Sequence, residues 1–177
     1  MVLVMAMGGL ATAASLEAEA IQYVTLEEAE EIAFENSLSL QLAKLAVEEA
    51  EFQHRQAEAA MIMKPSPVLL MQAQGGLDVA RQQYLTARDQ LALEVRTDFF
   101  NALRTQNLLG IAQEGLESAE RHERVAEKKL AAGTATRLDV IRASRNVLSS
   151  QSGISQAKHG LELAQMKFRQ TLGIDLD

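Results

Sequence analysis

Histidine is the side chain best suited to proton transfer and metal binding near neutral pH, and the chain contains three, at positions His54, His122 and His159. They are far apart in sequence, and none has a second histidine four residues away on the same helical face. His122 is followed by Glu123, but a zinc-binding helix requires two histidines. The pattern predicts ordinary surface or interface roles for all three, with no catalytic residue and no metal site.

Other chemistry-bearing residues also lack a catalytic pattern. Glutamates cluster between Glu27 and Glu31 and at Glu48-Glu49, but no spacing fixes a carboxylate pair across a substrate, so solvated helix faces are favoured. Gly75-Gly76 is not followed by Lys-Ser/Thr, which excludes a phosphate-binding loop of that type. The sequence has no cysteine, so disulfides and thiolate metal sites are excluded. We therefore predict neither enzymatic activity nor a cofactor.

Composition points to extended helices. The chain is 47% hydrophobic but only 4% aromatic, and helix-forming residues dominate from Thr25 to Leu172. Its net charge of −7 argues against nucleic-acid binding, which needs a clustered cationic excess. Eleven Glu and two basic residues lie between Glu17 and Glu58, whereas seven basic and four acidic residues lie between Ala119 and Arg145. The second segment is interpreted either as solvated helix faces with ion pairs or as a mildly basic tip that docks an acidic or polar partner.

The first twenty residues resemble an export signal in composition. Val2 to Leu10 is an apolar run too short to span a bilayer, and Ala11-Thr12-Ala13 follows it as a small-x-small cleavage pattern. We therefore predict a signal peptide over residues 1–20, with an ordinary apolar tail as the alternative. No other stretch approaches about 18 uninterrupted apolar residues, so no transmembrane helix is expected in the mature chain.

Four helices are predicted, over residues 26–35, 39–63, 77–132 and 137–172, followed by a tail at 174–177. Pro65 and Pro67 should end the second helix because proline lacks an amide donor. Residues 68–74 are predicted to be an irregular connector or at most one short strand, ended by Gly75-Gly76. The third helix would be a rod roughly 84 Å long, too long for a compact domain of this size. The expected fold class is all-α, built from long antiparallel coiled-coil hairpins.

Apolar residues recur at three- and four-residue steps along these helices, as in a coiled-coil seam. We expect the last helix to lie along the second half of the long helix, and the second helix along its first half. Such a layer is only two helices deep, so broad Ala-rich faces would stay partly exposed. Exposed apolar stripes of that extent predict a homo-oligomer.

Helix ends carry recognisable capping residues. Thr25 and Glu28 form the Thr-x-x-Glu pattern of a capping box, and Thr136 with Asp139 repeats the spacing at the start of the last helix. Gly133 is predicted to supply the left-handed residue that ends the long helix.

Three segments together resemble one repeat of the TolC-like outer-membrane efflux proteins. They are Thr25–Ala29 with Glu35-Asn36-Ser37, the Gly75-Gly76 opening, and the turn from Ala131 to Val140. The turn is the most specific, being similar to the family pattern Ala-Gly-x-x-[Ser/Thr]-x-x-Asp-Val. The resemblance covers residues 24–173.

The resemblance implies an exported subunit of an α-helical barrel in the periplasm, associated with the outer membrane, whose hairpin tips meet a periplasmic adaptor (a membrane fusion protein) coupled to an inner-membrane pump. It places the adaptor contact at the tip, which comprises Lys129, Ala132, Gly133, Thr134 and Arg137. Thr134 departs from the apolar residue that often follows the glycine in the family. Family members usually carry two such repeats and a β-hairpin insertion, whereas this sequence shows one repeat and little room for an insertion between Lys64 and Gly76.

The leading hypothesis is a non-enzymatic duct component of an efflux or secretion assembly. Two alternatives remain open at the level of sequence. One is a coiled-coil scaffold or interaction protein of the cell envelope that forms no channel, and the other is a truncated efflux-protein fragment.

Overall fold

The computed structural model describes residues 3–6, 21–63 and 65–174. Over these residues the fold is all-α, as predicted, and one small sheet is added to it. The helices are α1 (Leu26–Asn36), α2 (Leu38–Met63), α3 (Pro67–Ala131) and α4 (Arg137–Thr171). The sheet pairs β1 (Leu3–Ala6) with β2 (Ile21–Val24), strands that the sequence pattern does not predict. Most of the predicted signal peptide (1–20) and of the tail (174–177) lies outside the described residues.

Helix α3 begins ten residues earlier than predicted. Pro67 occupies its first position, where a missing amide hydrogen is no loss, and the Ser66 carbonyl accepts from the amides of Leu69 and Leu70 at 3.1 and 3.3 Å. The prediction of a connector or short strand over residues 68–74 is therefore wrong, because these residues are helical. Gly75 and Gly76 lie inside the helix and do not open it.

The chain divides into two compact units. The first holds α1, α2 and the part of α3 up to Thr97, together with the end of α4 from Arg169. Its core combines small and medium side chains: Ala29, Ala33, Leu40, Leu77, Ala80, Val95 and Leu172. Ala29 and Ala33 are fully buried, so α1 packs through a face of small residues that permits close approach.

The second unit contains residues 98–168, in which the rest of α3 and most of α4 form an antiparallel hairpin. Phe99 and Phe168 are its largest fully buried side chains, and their rings meet edge to face with centroids 5.8 Å apart. Asp98 is buried beside them, and its Oδ2 accepts from Lys167 Nζ at 3.0 Å. These contacts join the two helices at the end of the hairpin farthest from its turn.

Apolar side chains also lie on the outer faces of the helices. In α2 the buried face includes Leu40, and a second set at three- and four-residue steps is exposed: Leu38, Leu42, Leu45 and Phe52. At about 100° per residue, the two sets lie on roughly opposite sides of the helix. Among the described residues, no helix combines the length and apolarity needed to cross a bilayer.

Candidate functional site

The turn between α3 and α4 is the candidate functional site, and it begins with a hydrogen-bonded helix end. The Gly133 amide donates to the Leu130 carbonyl at 3.0 Å, and the Thr134 amide donates to the Lys129 carbonyl at 2.9 Å. This pair of bonds is a Schellman motif, which requires a left-handed residue at its fifth position. Gly133 provides it, with φ 72°. The helix therefore ends at a fixed residue in a fixed geometry.

Helix α4 begins with a reciprocal cap formed by Thr136, three residues after Gly133, and Asp139. The Thr136 amide donates to Asp139 Oδ2 at 2.9 Å, and the Asp139 amide donates to Thr136 Oγ1 at 3.2 Å. The Thr136 hydroxyl also donates to Asp139 Oδ2 at 2.7 Å. The amides of Thr136 and Asp139 are thus satisfied locally, and the start of the returning helix is set by short-range bonds.

These bonds lower the pKa of Asp139 below its ordinary value. The main cause is the Thr136 backbone amide, followed by the Thr136 hydroxyl, with a smaller attraction from Arg142. Glu28 has a lowered pKa for the same reason, because the Thr25 amide donates to its Oε2 at 2.8 Å. The two capping boxes, at the starts of α1 and α4, are therefore built in the same way.

The residues predicted to form the tip are all exposed. Lys129, Ala132, Gly133, Thr134 and Arg137 lie within nine residues of one another around the turn. The Lys129 carbonyl accepts both the amide and the hydroxyl of Thr134, at 2.9 and 3.1 Å. Thr134 is thereby held by the end of α3, and the tip presents cationic and small side chains on a rigid turn. Lys128 and Lys129 also complement the partial negative charge at a helix carboxyl end.

A groove of about 440 Å³ lies between α3 and α4 on the side of the same hairpin. Its lining joins small residues to polar ones: Gly115, Ser118, Ala119, His122, Asp139, Arg142, Ala143 and Asn146. The sequence analysis missed this groove, although the small residues of α3 at 115, 118 and 119 are a signal that the helices leave space there. His122 lies in this groove, so its surroundings are polar and mostly open.

The three histidines are not brought together. His54 Nδ1 lies 3.8 Å from Glu58 Oε2, and His159 Nδ1 lies 3.2 Å from Glu162 Oε2, each pair within one helix. In the described part of the chain, no group of three acidic, histidine or cysteine side chains is positioned to hold a metal ion. In the acidic cluster of α1, Glu30 forms an ion pair with Arg96 of α3.

A second hydrogen-bonded helix end lies in the first unit, at the carboxyl end of α4. The Gly173 amide donates to the Gln170 carbonyl and the Ile174 amide to the Arg169 carbonyl, both at 3.1 Å, with Gly173 at φ 67°. This is the same motif as at Gly133. Asn36 Nδ2 donates to the Leu172 carbonyl at 3.1 Å, so the last residue of α1 is joined to the end of α4. Asn36 was named in the sequence only through the family resemblance, and this contact gives its physical role.

Fold and site together define the class: a long α-helical hairpin protein with a rigidly capped turn and apolar residues on its outer faces. A profile of the family described as outer membrane efflux protein matches residues 69–174, more than half of the chain. The chain therefore belongs to the outer membrane efflux protein family.

Among solved structures, the chain is similar to a membrane protein from Pseudomonas aeruginosa, with a TM-score of 0.61 and 21% sequence identity. The similarity covers 85% of this chain and 45% of that chain, so the sequence spans less than half the length of that protein. At this identity the likeness concerns the fold. A search of curated proteins gives no match.

Proposed function

We propose that this chain is a non-enzymatic subunit of an efflux or secretion duct in the cell envelope, exported to the periplasm and associated with the outer membrane. In this proposal, copies of the chain pack side by side through their outer helix faces. The tip at the α3–α4 turn docks a periplasmic adaptor, which couples the duct to an inner-membrane pump. Membership of the outer membrane efflux protein family supports the class of assembly.

The single observation that carries the proposal is that helices have apolar residues on two sides. In α4, Val147, Ala164 and Phe168 are buried, while Ile141, Leu148, Leu163 and Met166 are exposed on the other side of the same helix. A helix needs one apolar face to pack within its own chain. A second apolar stripe, repeated on α2, is the pattern of a helix that has neighbours on both sides.

Light scattering on the purified chain tests the packing. We expect species larger than a dimer, and we expect Leu148→Glu to shift them toward monomer because the new carboxylate would be buried between copies. Gln151→Glu, which adds the same charge to an exposed position off the stripe, should leave the assembly unchanged. A stable dimer that resists Leu148→Glu would contradict the duct and favour a coiled-coil scaffold of the envelope.

Adaptor docking is supported by the exposure and rigidity of the tip, since a preformed contact loses little conformational entropy on binding. A photo-crosslinking amino acid at Thr134 should give an adduct that mass spectrometry identifies as a periplasmic adaptor. The same probe at exposed Ser155, midway along α4, should not give that adduct. Equal yields from both positions, or adducts with unrelated proteins alone, would contradict docking at the tip.

A further inference from the structure

The groove between α3 and α4 is lined from both helices by side chains that can donate hydrogen bonds. Ser118 and His122 come from α3, and Arg142 and Asn146 come from α4. Most of the other lining residues are small, which leaves the space open: Gly115, Ala119 and Ala143. The volume of about 440 Å³ is in the range of sites that hold a small organic ligand.

The donors of this groove have no partners in the described part of the chain. Arg121 and Arg124 of α3 each form an ion pair with a glutamate four residues earlier. The Arg142 guanidinium, by contrast, has no carboxylate within 4 Å among the described residues. Within the same residues, the side chains of Ser118, His122 and Asn146 also make no hydrogen bond. The groove therefore combines one unpaired cation with three polar groups that are available to a ligand.

The charge around the groove favours an anion. Between Lys128 and Arg145 the sequence contains five basic residues and one acidic residue, Asp139, although the whole chain has a net charge of −7. Asp139 is also the only acidic residue among the described residues that line the groove. Its Oδ2 already accepts from the Thr136 amide and hydroxyl, at 2.9 and 2.7 Å. The local field is therefore positive in an acidic protein, and it attracts small anions to this part of the hairpin.

A second groove, of about 240 Å³ between α2 and α3, provides a contrast. It also contains arginine and histidine, but here both have acidic neighbours. Arg81 Nη2 lies 2.9 Å from Glu51 Oε1, and His54 Nδ1 lies 3.8 Å from Glu58 Oε2. The positive charge of this second groove is neutralised within the chain. Arginine and histidine in a groove thus attract an anion only where carboxylates do not occupy them, as in the groove between α3 and α4.

We propose that the α3–α4 groove is a binding site for a small organic anion that bears a carboxylate or phosphate group. Arg142 donates charge-assisted hydrogen bonds to the anion, and its planar guanidinium matches the geometry of both groups. Ser118 and His122 donate from the opposite helix, so the bound anion bridges the hairpin near its turn. The site depends on neither ring formation nor adaptor docking, and it is therefore independent of the function proposed above.

The three histidines of the chain make the site accessible to NMR, because each ring gives a separate Cε1–H signal. The His122 signal is identified by its loss in His122→Gln. When inorganic phosphate or succinate is added at fixed pH and ionic strength, we expect this signal to shift saturably while those of His54 and His159 stay in place. The probe with the lower Kd identifies the preferred group. No shift with either probe, or unsaturated shifts of all three signals alike, would overturn the proposal.

Arg142→Gln and Arg145→Gln are a matched pair of variants for calorimetry with the same two probes. Each removes one positive charge from an exposed position of α4, but only Arg142 lines the groove. Arg142→Gln should raise the Kd of the preferred probe at least about tenfold, because a charge-assisted hydrogen bond is lost. Arg145→Gln should leave the Kd nearly unchanged, and circular dichroism checks that both variants stay helical. Equal weakening by the two variants would overturn the proposal, since only the general positive charge of the region would then attract the anion.

Discussion

Two glycines end the long helices with the same hydrogen bonds but in different surroundings. Gly133 and Gly173 both have left-handed backbones, at φ 72° and 67°. A Cβ atom on Gly133 would meet nothing within 4 Å, whereas one on Gly173 would lie 2.8 Å from Asn36 Cβ. Glycine is therefore needed at position 133 only for its left-handed backbone. At position 173 it is also needed because a side chain would collide with α1.

The two glycines make a matched pair of variants. Gly133→Ala should lower the free energy of unfolding by about 1 kcal/mol, because alanine is strained at positive φ. Gly173→Ala should lower it further, since its methyl group would also displace Asn36. Urea titrations of both variants measure the difference. Equal losses of unfolding free energy in the two variants would show that the close contact between Asn36 and Gly173 does not affect stability.

The capping carboxylate of α4 should give stability a defined pH dependence. Because the folded-state pKa of Asp139 is lowered, its contribution is present above the unfolded-state pKa and is lost as pH falls through the folded-state pKa. An NMR titration should place the Asp139 pKa below its ordinary value. Thr136→Ala should raise that pKa only partly, because the Thr136 backbone amide, the larger cause, remains. A full return of the Asp139 pKa to its ordinary value in Thr136→Ala would show that the hydroxyl, and not the backbone amide, is the larger cause.

The sequence could predict the caps because their chemistry is local: Thr136 and Asp139 are three residues apart, and their bonds need only the first turn of one helix. Asp98 could not be found in this way. Its partner Lys167 is 69 residues distant, and nothing near Asp98 in the sequence distinguishes it from a solvated aspartate. Its burial follows from the packing of α3 against α4.

The ion pair between Asp98 and Lys167 joins α3 to α4, and we expect the loss of stability to depend on which partner is removed. Lys167 is 56% exposed at its side chain and Asp98 only 7%, so removing the lysine takes one partner from a charge in the interior, whereas removing the aspartate leaves a charge that water can solvate. Lys167→Met should lower the free energy of unfolding by about 1–3 kcal/mol. Asp98→Asn should cost less, and Lys158→Met, at an exposed position of α4, should change little. A larger loss for Asp98→Asn than for Lys167→Met would contradict this account.

Helix α3 shows where sequence analysis reaches its limit. Residues 68–74 form a short apolar run, which periodicity alone cannot assign to helix or strand, and the two glycines after it favour a break. The helix continues through the apolar run and the two glycines because proline is favourable at the first position of a helix and residues such as Leu77 and Ala80 pack in the core. The hairpin, by contrast, was predictable from its long seam and its turn.

Continuity of α3 can be tested at its glycines. A Cβ atom on Gly75 or Gly76 would meet nothing within 4 Å. In a continuous helix, Gly75→Ala and Gly76→Ala should each raise the free energy of unfolding by about 0.5–1 kcal/mol, since alanine restricts the unfolded chain and favours the helix. Thermal denaturation followed by circular dichroism measures the gain. No gain, or a loss, would favour a helix that starts at Leu77.

For the whole molecule, the outer apolar stripes predict that stability depends on concentration. Any partner that binds the folded chain and not the unfolded one raises its Tm by mass action. If copies cover each other's stripes, the Tm should rise with protein concentration, and Leu148→Glu should remove that rise. A Tm independent of concentration in both proteins would contradict assembly through these faces.

Helices with apolar residues on two sides also have a consequence for a single copy of the chain in water. A solitary copy must hold at least twenty-one large hydrophobic residues of its described part in water, a surface prone to indiscriminate aggregation. If the proposed assembly forms, the tolerated cellular concentration of the chain depends on how quickly copies meet, and we expect unassembled copies to become substrates for proteases and chaperones. Cells that make this protein in excess should accumulate it as insoluble deposits or degradation products.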